Sequence, residues 1–391
     1  MKLVSTFRYA LSLALGISSL SLVACGSDGG SADPDGSSDD DGSSSTEGSG
    51  SGGPGGGGDE LCGIAGATVV AARQQYGNGS VIRRLVLDGD TLFYGTVDEI
   101  WSVPLAGGDS AKVYPPAPQV DIYPMFWIRG ADLVVGQSDS LDVLPKTGGA
   151  IAATKELPLP YSGTLDGRAF ILLDGDGKTF FAKQDGSAIG SEEPPITYYR
   201  YDIDAGTSAT VLEATGIGDG QEIWKMGDWI YTAHRVGDPL DPSDERPDEI
   251  HRIPVAGGAA QLLPLEGDFH LAIVGADDTH LFFAGRPVPL DITVDAGGYY
   301  RLPLAGGAPE KIIDGYVPAA GMFTELVAQP DRSLFWELGT IHEIPRGSGQ
   351  ATPLVNTGCE IQAFAAAGDD VYLSIFDDSD ETAFVLRVGV P

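Results

Sequence analysis

The chain has 391 residues, with 23 Lys and Arg against 56 Asp and Glu, for a formal net charge of −33. Such a surface repels polyphosphate, so nucleic acid is excluded as a partner. With 55 Gly and 26 Pro the chain is broken too often for an ordinary helical protein, and only one N-terminal apolar stretch is long enough to consider as a membrane span.

Lys2 and Arg8 supply a positive start, and an apolar run follows from Tyr9 to Ala24, the charge and length pattern of a secretory signal. The run ends Leu22-Val23-Ala24-Cys25. That tetrad resembles the lipobox of bacterial lipoproteins. The resemblance implies that residues 1–24 are a signal peptide, that cleavage falls before Cys25, and that Cys25 carries lipid on its thiol and new amine. Gly26 and Ser27 follow, with no Asp directly after the Cys. By resemblance to lipoprotein sorting signals, this implies a lipid-anchored protein of the cell envelope, at the outer membrane. Several acyl chains on one residue give an anchoring that a single chain does not.

Residues 25–60 are almost all Gly, Ser and Asp after the Cys, with acidic residues and no Lys or Arg. With almost nothing apolar to bury, the segment reads as a disordered acidic tether. Its coil span is of order 30 Å, and its charge extends it further. The remainder, 61–391, reads as one domain with a net charge of −26.

That domain repeats one phrase. A short strand leads into a Gly/Asp turn and then an apolar, aromatic strand. A variable connection follows, then a third strand ending in Pro, then small residues with Gly and a fourth short strand. The clearest copies run from Asp88 through Tyr94 to Pro104 and Gly108, and from Asp277 through Phe283 to Pro303 and Gly307. Weaker copies carry Pro145, Pro254 and Pro345 at the same place, while Asp202 replaces the Pro in the third copy. The second strands end near Tyr94, Val135, Phe181, Tyr231, Phe283, Trp336 and Leu373, a mean interval of about 46 residues. That spacing suits the four-stranded blades of a β-propeller. Pro at a strand end loses its N–H where the loss costs least, and Gly-Gly permits the tight hairpin that follows.

The prediction is therefore an all-β, seven-bladed propeller of four-stranded antiparallel blades. The last copy ends at the C-terminus one strand short. The segment Ala67–Ala72 ahead of the first copy is a strand without a blade. Pairing the two closes the ring and removes an exposed edge. A closed ring also brings Cys62, just before that orphan strand, near Cys359, just before the last copy. In an oxidising compartment the pair forms a disulfide. Closing so long a loop is worth up to ~5 kcal/mol in the chain-entropy picture.

The repeat resembles the YWTD and TolB-like family of extracytoplasmic β-propellers. There an aromatic second strand precedes a third strand of the form Ile-x-Arg-Val and a Gly turn. The matching residues are Leu92, Phe93 and Tyr94 with Val103 and Pro104; Ile230 and Tyr231 with Ile250 and Arg252; Phe282 and Phe283 with Arg301; and Leu334, Phe335 and Trp336 with Ile341. The full Tyr-Trp-Thr-Asp tetrad is absent, and seven copies stand where those propellers usually carry six. The resemblance implies fold class and names no ligand.

Connections between second and third strands are longest in copies three (183–197), four (233–249) and five (284–298). Insertions of this kind decorate a binding face. The candidate contact residues are Glu192 and Glu193 in copy three, and Asp238, Asp241, Asp244 and Glu245 in copy four. Six acids in 237–249 can also collect Ca²⁺, although their spacing matches no calcium loop. His251 and His342 share a repeat position occupied elsewhere by Trp101, Asp142, Tyr199, Tyr300 and Leu386, which reads as packing or surface. Asp121, Glu222, Asp268, Glu325 and Glu360, near the first strands, share no register and form no ring of ligands. No nucleophile elbow, P-loop or zinc-helix motif is present. The leading expectation is thus a lipid-anchored, non-enzymatic binding module for a protein or small-molecule ligand. The alternative is a Ca²⁺-dependent hydrolase or lyase with its site in the propeller channel.

Overall fold

In the computed structural model of the chain, the described residues are 61–64, 66–74, 81–96, 99–114, 125–136, 140–157, 170–175, 178–185, 196–214, 223–234, 246–256, 258–288, 297–314, 326–337, 339–377 and 382–390. Cys25, the signal segment and the tether to residue 60 lie outside them.

Seven four-stranded antiparallel sheets follow one another along the chain. Blade one comprises Arg84–Asp88, Thr91–Gly95, Ile100–Pro104 and Ala111–Tyr114. Blade two comprises Phe126–Arg129, Asp132–Gly136, Ser140–Pro145 and Ala153–Glu156. Blade three comprises Phe170–Gly175, Thr179–Asp185, Ile196–Asp202 and Thr207–Ala214. Blade four comprises Ile223–Met226, Trp229–His234, Glu249–Pro254 and Gln261–Leu262. Blade five comprises Phe269–Ala276, His280–Pro287, Gly298–Pro303 and Glu310–Asp314. Blade six comprises Leu326–Ala328, Arg332–Glu337, Thr340–Pro345 and Thr352–Asn356. Blade seven takes Ile361–Ala367, Asp370–Asp377 and Thr382–Gly389 from the chain's end, and Thr68–Gln74 from near its start. First strands of neighbouring blades approach one another, so they form the inner ring.

The ring closes as the orphan strand predicts. Thr68–Gln74 runs antiparallel to Thr382–Gly389, with Thr68 opposite Arg387 and Gln74 opposite Thr382. Val70 and Ala71 of this strand share a core with Leu85 and Tyr94 of blade one and with Tyr372 and Val385 of blade seven. Arg73 sets its guanidinium 3.2 Å from the centre of the Trp101 ring and donates to the Tyr94 hydroxyl at 3.1 Å. Buried Ser374 donates to the carbonyl of Ile82 at 2.7 Å. Cys62 and Cys359 are joined in a disulfide, their Cα atoms 5.3 Å apart, and the Gly358 amide donates to the Cys62 carbonyl at 2.6 Å. The bridge ties the segment leading into blade seven's outer strand to the connection entering its inner strand.

Register is common to all blades. The first residue of each second strand faces the residue that closes the third: Thr91 faces Pro104, Asp132 faces Pro145, Trp229 faces Pro254 and His280 faces Pro303. Counting from those pairs puts the equivalent second-strand positions at Tyr94, Val135, Ala182, Thr232, Phe283, Phe335 and Leu373. Blades three, four and six thus sit one residue away from the repeat as read by aromatic residues alone. Apolar identity shifts between neighbouring positions, whereas backbone pairing does not.

The Pro residues work as expected. Their carbonyls accept from an amide three residues on: Pro104 from Gly107 at 2.8 Å, Pro145 from Gly148 at 2.9 Å, Pro303 from Gly306 at 2.7 Å and Pro345 from Ser348 at 2.9 Å. Each closes a β-turn that sends the chain into the outer strand. The core lies between blades. Tyr231, Ala233 and Ile250 of blade four pack on Leu271, Ile273, Phe283 and Leu302 of blade five. A side chain as fully buried as Phe283 contributes about 1.5–3 kcal/mol.

Candidate functional site

Blade four brings His234 together with Glu249 and His251, which lie beyond its long connection. His234 ends the second strand and stands directly opposite Glu249, which begins the third. His251 follows two residues after Glu249 and stands opposite Thr232. Strand alternation puts all three side chains on one face of the blade. Tyr231, Ala233 and Ile250, which pack on blade five, take the other face. The histidines therefore face blade three, the neighbour whose Arg200 donates to the Val255 carbonyl of blade four.

The His251 Nε2 lies 2.9 Å from Glu249 Oε2, and the two imidazole rings meet edge to face with centres 5.9 Å apart. One ligand atom from each of the three residues falls within 4.8 Å of the others. The His251 side chain is 20% exposed and that of Glu249 45%, so the cluster is sheltered but open to water. Burial, and then the neighbouring His251, push the His234 pKa below its usual range, against the opposing pull of Glu249 and Asp248.

Asp248 belongs to the same connection but points the other way. Its side chain is buried; Oδ2 accepts from the Leu271 amide at 2.8 Å, and Oδ1 lies 3.6 Å from His270 Nδ1. Its own amide donates to the Phe269 carbonyl at 2.8 Å. Asp248 thus fastens blade four's connection to the inner strand of blade five. Of the six acids in 237–249, it is structural, and Glu249 joins the histidines.

Glu192, Glu193, Asp238, Asp241, Asp244 and Glu245 lie outside the described residues, as do Asp121, Glu222 and Glu325. Asp268 and Glu360 stand exposed immediately before the inner strands of blades five and seven. A shallow cleft of about 300 Å³ lies between the inner strands of blades one and two. Its charged groups are already engaged: Arg84 donates to the Phe126 carbonyl at 3.0 Å, and Asp88 pairs with Lys146 at 2.5 Å.

Reading the sequence by repeat position treats His251 as a packing or surface site and leaves His234 unassigned. The cross-strand register was the missing signal. Pairing Trp229 with Pro254, as every copy pairs its equivalents, carries His234 onto Glu249 across the intervening connection.

No protein-family model matches the chain, and no curated protein matches it in sequence. Among solved structures it is similar to an oligogalacturonate lyase in complex with manganese, with 10% identity over 84% of this chain and 95% of that one and a TM-score of 0.53. It is similar to an acylaminoacyl peptidase from Pyrococcus horikoshii, with 11% identity over 76% of this chain and a TM-score of 0.51, and it spans only 49% of that enzyme. It is also similar to the AfRom2 CNH domain, with 13% identity over 82% of this chain and 98% of that one and a TM-score of 0.50. At such identities the likeness is one of fold. A lyase, a peptidase and a CNH domain share it, so the fold by itself assigns no activity. What the chain is, on these grounds, is a seven-bladed β-propeller closed by its own first strand.

Proposed function

We propose that this chain is a lipid-anchored cell-envelope β-propeller that holds a partner, protein or small molecule, on the rim above blades three to five. The observation that carries the reading is an asymmetry of connections. Between second and third strands, blades three, four and five have 186–195, 235–248 and 288–297, whereas blades one, two, six and seven have only 96–99, 137–139, 338–339 and 378–381. All three long connections fall on consecutive blades. In a repeat protein such insertions gather on the binding face, because they add surface without disturbing the stacked core.

The address is supported separately. Leu22-Val23-Ala24-Cys25 after a charged, apolar leader has the form of a lipidation signal. The Cys62–Cys359 bridge suits an oxidising compartment. The acidic tether provides reach from a membrane surface.

Two experiments test the reading. Metabolic labelling with a radioactive fatty acid should mark the wild-type protein and fail with Cys25→Ser; equal labelling of both rejects the anchor. Replacing 186–195 or 237–245 by short Gly-Ser links should leave thermal stability unchanged and abolish capture of the partner crosslinked by the wild-type protein. Retained capture of that same partner by both variants rejects the rim.

A further inference from the structure

We propose that His234, Glu249 and His251 form a site for one divalent transition-metal ion of the zinc class. Metal binding here requires neither the lipid anchor nor the partner.

The backbone does the positioning. His234 and Glu249 are a direct cross-strand pair, and His251 is the next residue of its strand on the same face. Side chains so placed start about 4.5–5.5 Å apart at Cβ for the direct pair, and their bases are fixed by the ladder rather than by a loop. The ligand atoms lie within 4.8 Å of one another, with one pair at 2.9 Å. Zinc–ligand bonds of about 2.0–2.2 Å put the donor atoms of a tetrahedral ion ~3.4 Å apart. Side-chain rotations of about 1 Å, with no movement of the strands, reconcile the two.

Donor type sets the class of ion. Two imidazole nitrogens and one carboxylate oxygen suit zinc and its neighbours in the transition series. Calcium and magnesium want six or more oxygens and gain little from imidazole. Three protein donors leave a further position for water or for a donor arriving from outside, and half-exposed Glu249 marks the open side. The chain's charge of −33 raises the local concentration of cations around it.

Blade one shows what this corner of a blade does without such a site. Glu99 there is equivalent to Glu249; it accepts from Trp101 Nε1 at 2.9 Å and pairs with Lys112 at 2.5 Å. Thr96 occupies the place of His234, its amide donating to the Glu99 carbonyl at 2.9 Å. The shared Glu thus braces its own strand in blade one. Blade four keeps the Glu and replaces both Trp and Thr by imidazole, and this double replacement is what converts a brace into a donor set.

Titration calorimetry on the purified mature chain with Zn²⁺, in excess Ca²⁺ and Mg²⁺ to occupy the acidic surface, tests the site. One ion per chain is expected. His234→Ala and His251→Ala should each weaken binding by more than about 100-fold, because even the loss of a group behind a metal ligand costs about 10–100-fold. Glu249→Gln, which keeps the shape and the strand pairing, should weaken it also and serves as the decisive variant if either His change unfolds the blade. His280→Ala, in blade five, should bind as wild type. Co²⁺ added in place of Zn²⁺ should give visible absorption that each site variant loses. Absence of saturable one-to-one binding, or affinity unchanged by Glu249→Gln and the histidine variants, overturns the proposal.

Discussion

Arg252 of blade four donates from Nη1 to the carbonyl of Leu304, 3.3 Å away in the turn of blade five. From Nε it also reaches Gln261 of its own outer strand at 3.1 Å. Blade five repeats the device. Arg301 donates to the Ser348 carbonyl of blade six and binds Glu310 of its own outer strand at 2.6 Å. In blade three, Arg200 reaches Val255 of blade four in the same manner. A rigid guanidinium presents five donors in a fixed plane, so one side chain serves two directions at a pre-set geometry that a flexible ammonium lacks. The Arg of the Ile-x-Arg phrase is therefore a fastener between consecutive blades.

Arg301→Met should lower stability by about 1.5–3 kcal/mol, the range for a hydrogen bond from a charged donor whose carbonyl partner is left behind. Its side chain is only 12% exposed, whereas Glu310 is half exposed, so the ion pair itself contributes little and the bond to Ser348 carries the loss. Arg301→Lys should recover at most part of it. Urea denaturation of the three proteins measures the difference, and equal midpoints would refute the fastener.

Opening the Cys62–Cys359 bridge should cost about 2–5 kcal/mol. The bridged residues are 297 apart in sequence, so the tie restrains nearly the whole domain when unfolded. Non-reducing mass spectrometry should find the pair intact, and Cys62→Ser should lower the melting temperature by the same amount as reductant does. A melting point indifferent to both would contradict a stabilising role.

Two glycines in equivalent turns should respond differently to alanine. Gly107 has φ +85, and an added Cβ meets nothing closer than the Val69 carbonyl at 3.9 Å. Gly306 has φ +84, but its Cβ falls 2.5 Å from the Pro264 carbonyl oxygen of blade four. Gly107→Ala should cost about 1–2 kcal/mol for the left-handed backbone alone. Gly306→Ala should cost clearly more, because backbone must also yield. Calorimetric melting compares them, and equal losses would show that the blade boundary adapts freely.

Acid should weaken the fold through buried histidines. Burial pushes the His342 pKa down. His280 shifts the same way, through burial first and then the charge of Arg301. Both shifts disfavour the protonated imidazole in the fold. In the unfolded chain both imidazoles take up protons near pH 6.5. Their neutral burial therefore carries no penalty above about pH 6.5, and stability falls as pH drops from there towards the lowered folded values. Melting temperature should decline from pH 7.5 to 5.5, and His342→Gln should shrink that decline. An identical slope in the variant would remove His342 as the cause.

Much of this architecture was written in local chemistry. Gly/Asp turns and apolar second strands recur through the seven copies, and a terminal Pro closes the third strand in five of them, because each punctuates its own hairpin. The unmatched strand at Thr68–Gln74 and the three-stranded copy 361–389 announce the closure together. The site was less legible. His234 and Glu249 meet only through a pairing across residues 235–248, and nothing within either strand reports it. Asp248 and Glu249 are adjacent acids with opposite duties, one clamping Leu271 from the connection and one facing His251 from the first position of the strand. Composition sees two carboxylates where placement gives each its own duty.

The outer strand of blade seven, Thr68–Gln74, is made long before Thr382–Gly389, the strand it pairs with. Some 300 residues separate them, which at roughly 5–20 residues per second is on the order of 15–60 s of synthesis. During that interval Thr68–Gln74 has no sheet to join, and Cys62 has no Cys359 to meet. Six blades can assemble in order as they emerge, but the seventh waits for Thr382–Gly389. A truncated chain is therefore left with an unpaired strand and a free thiol, two marks by which an incomplete propeller is distinguished from a finished one.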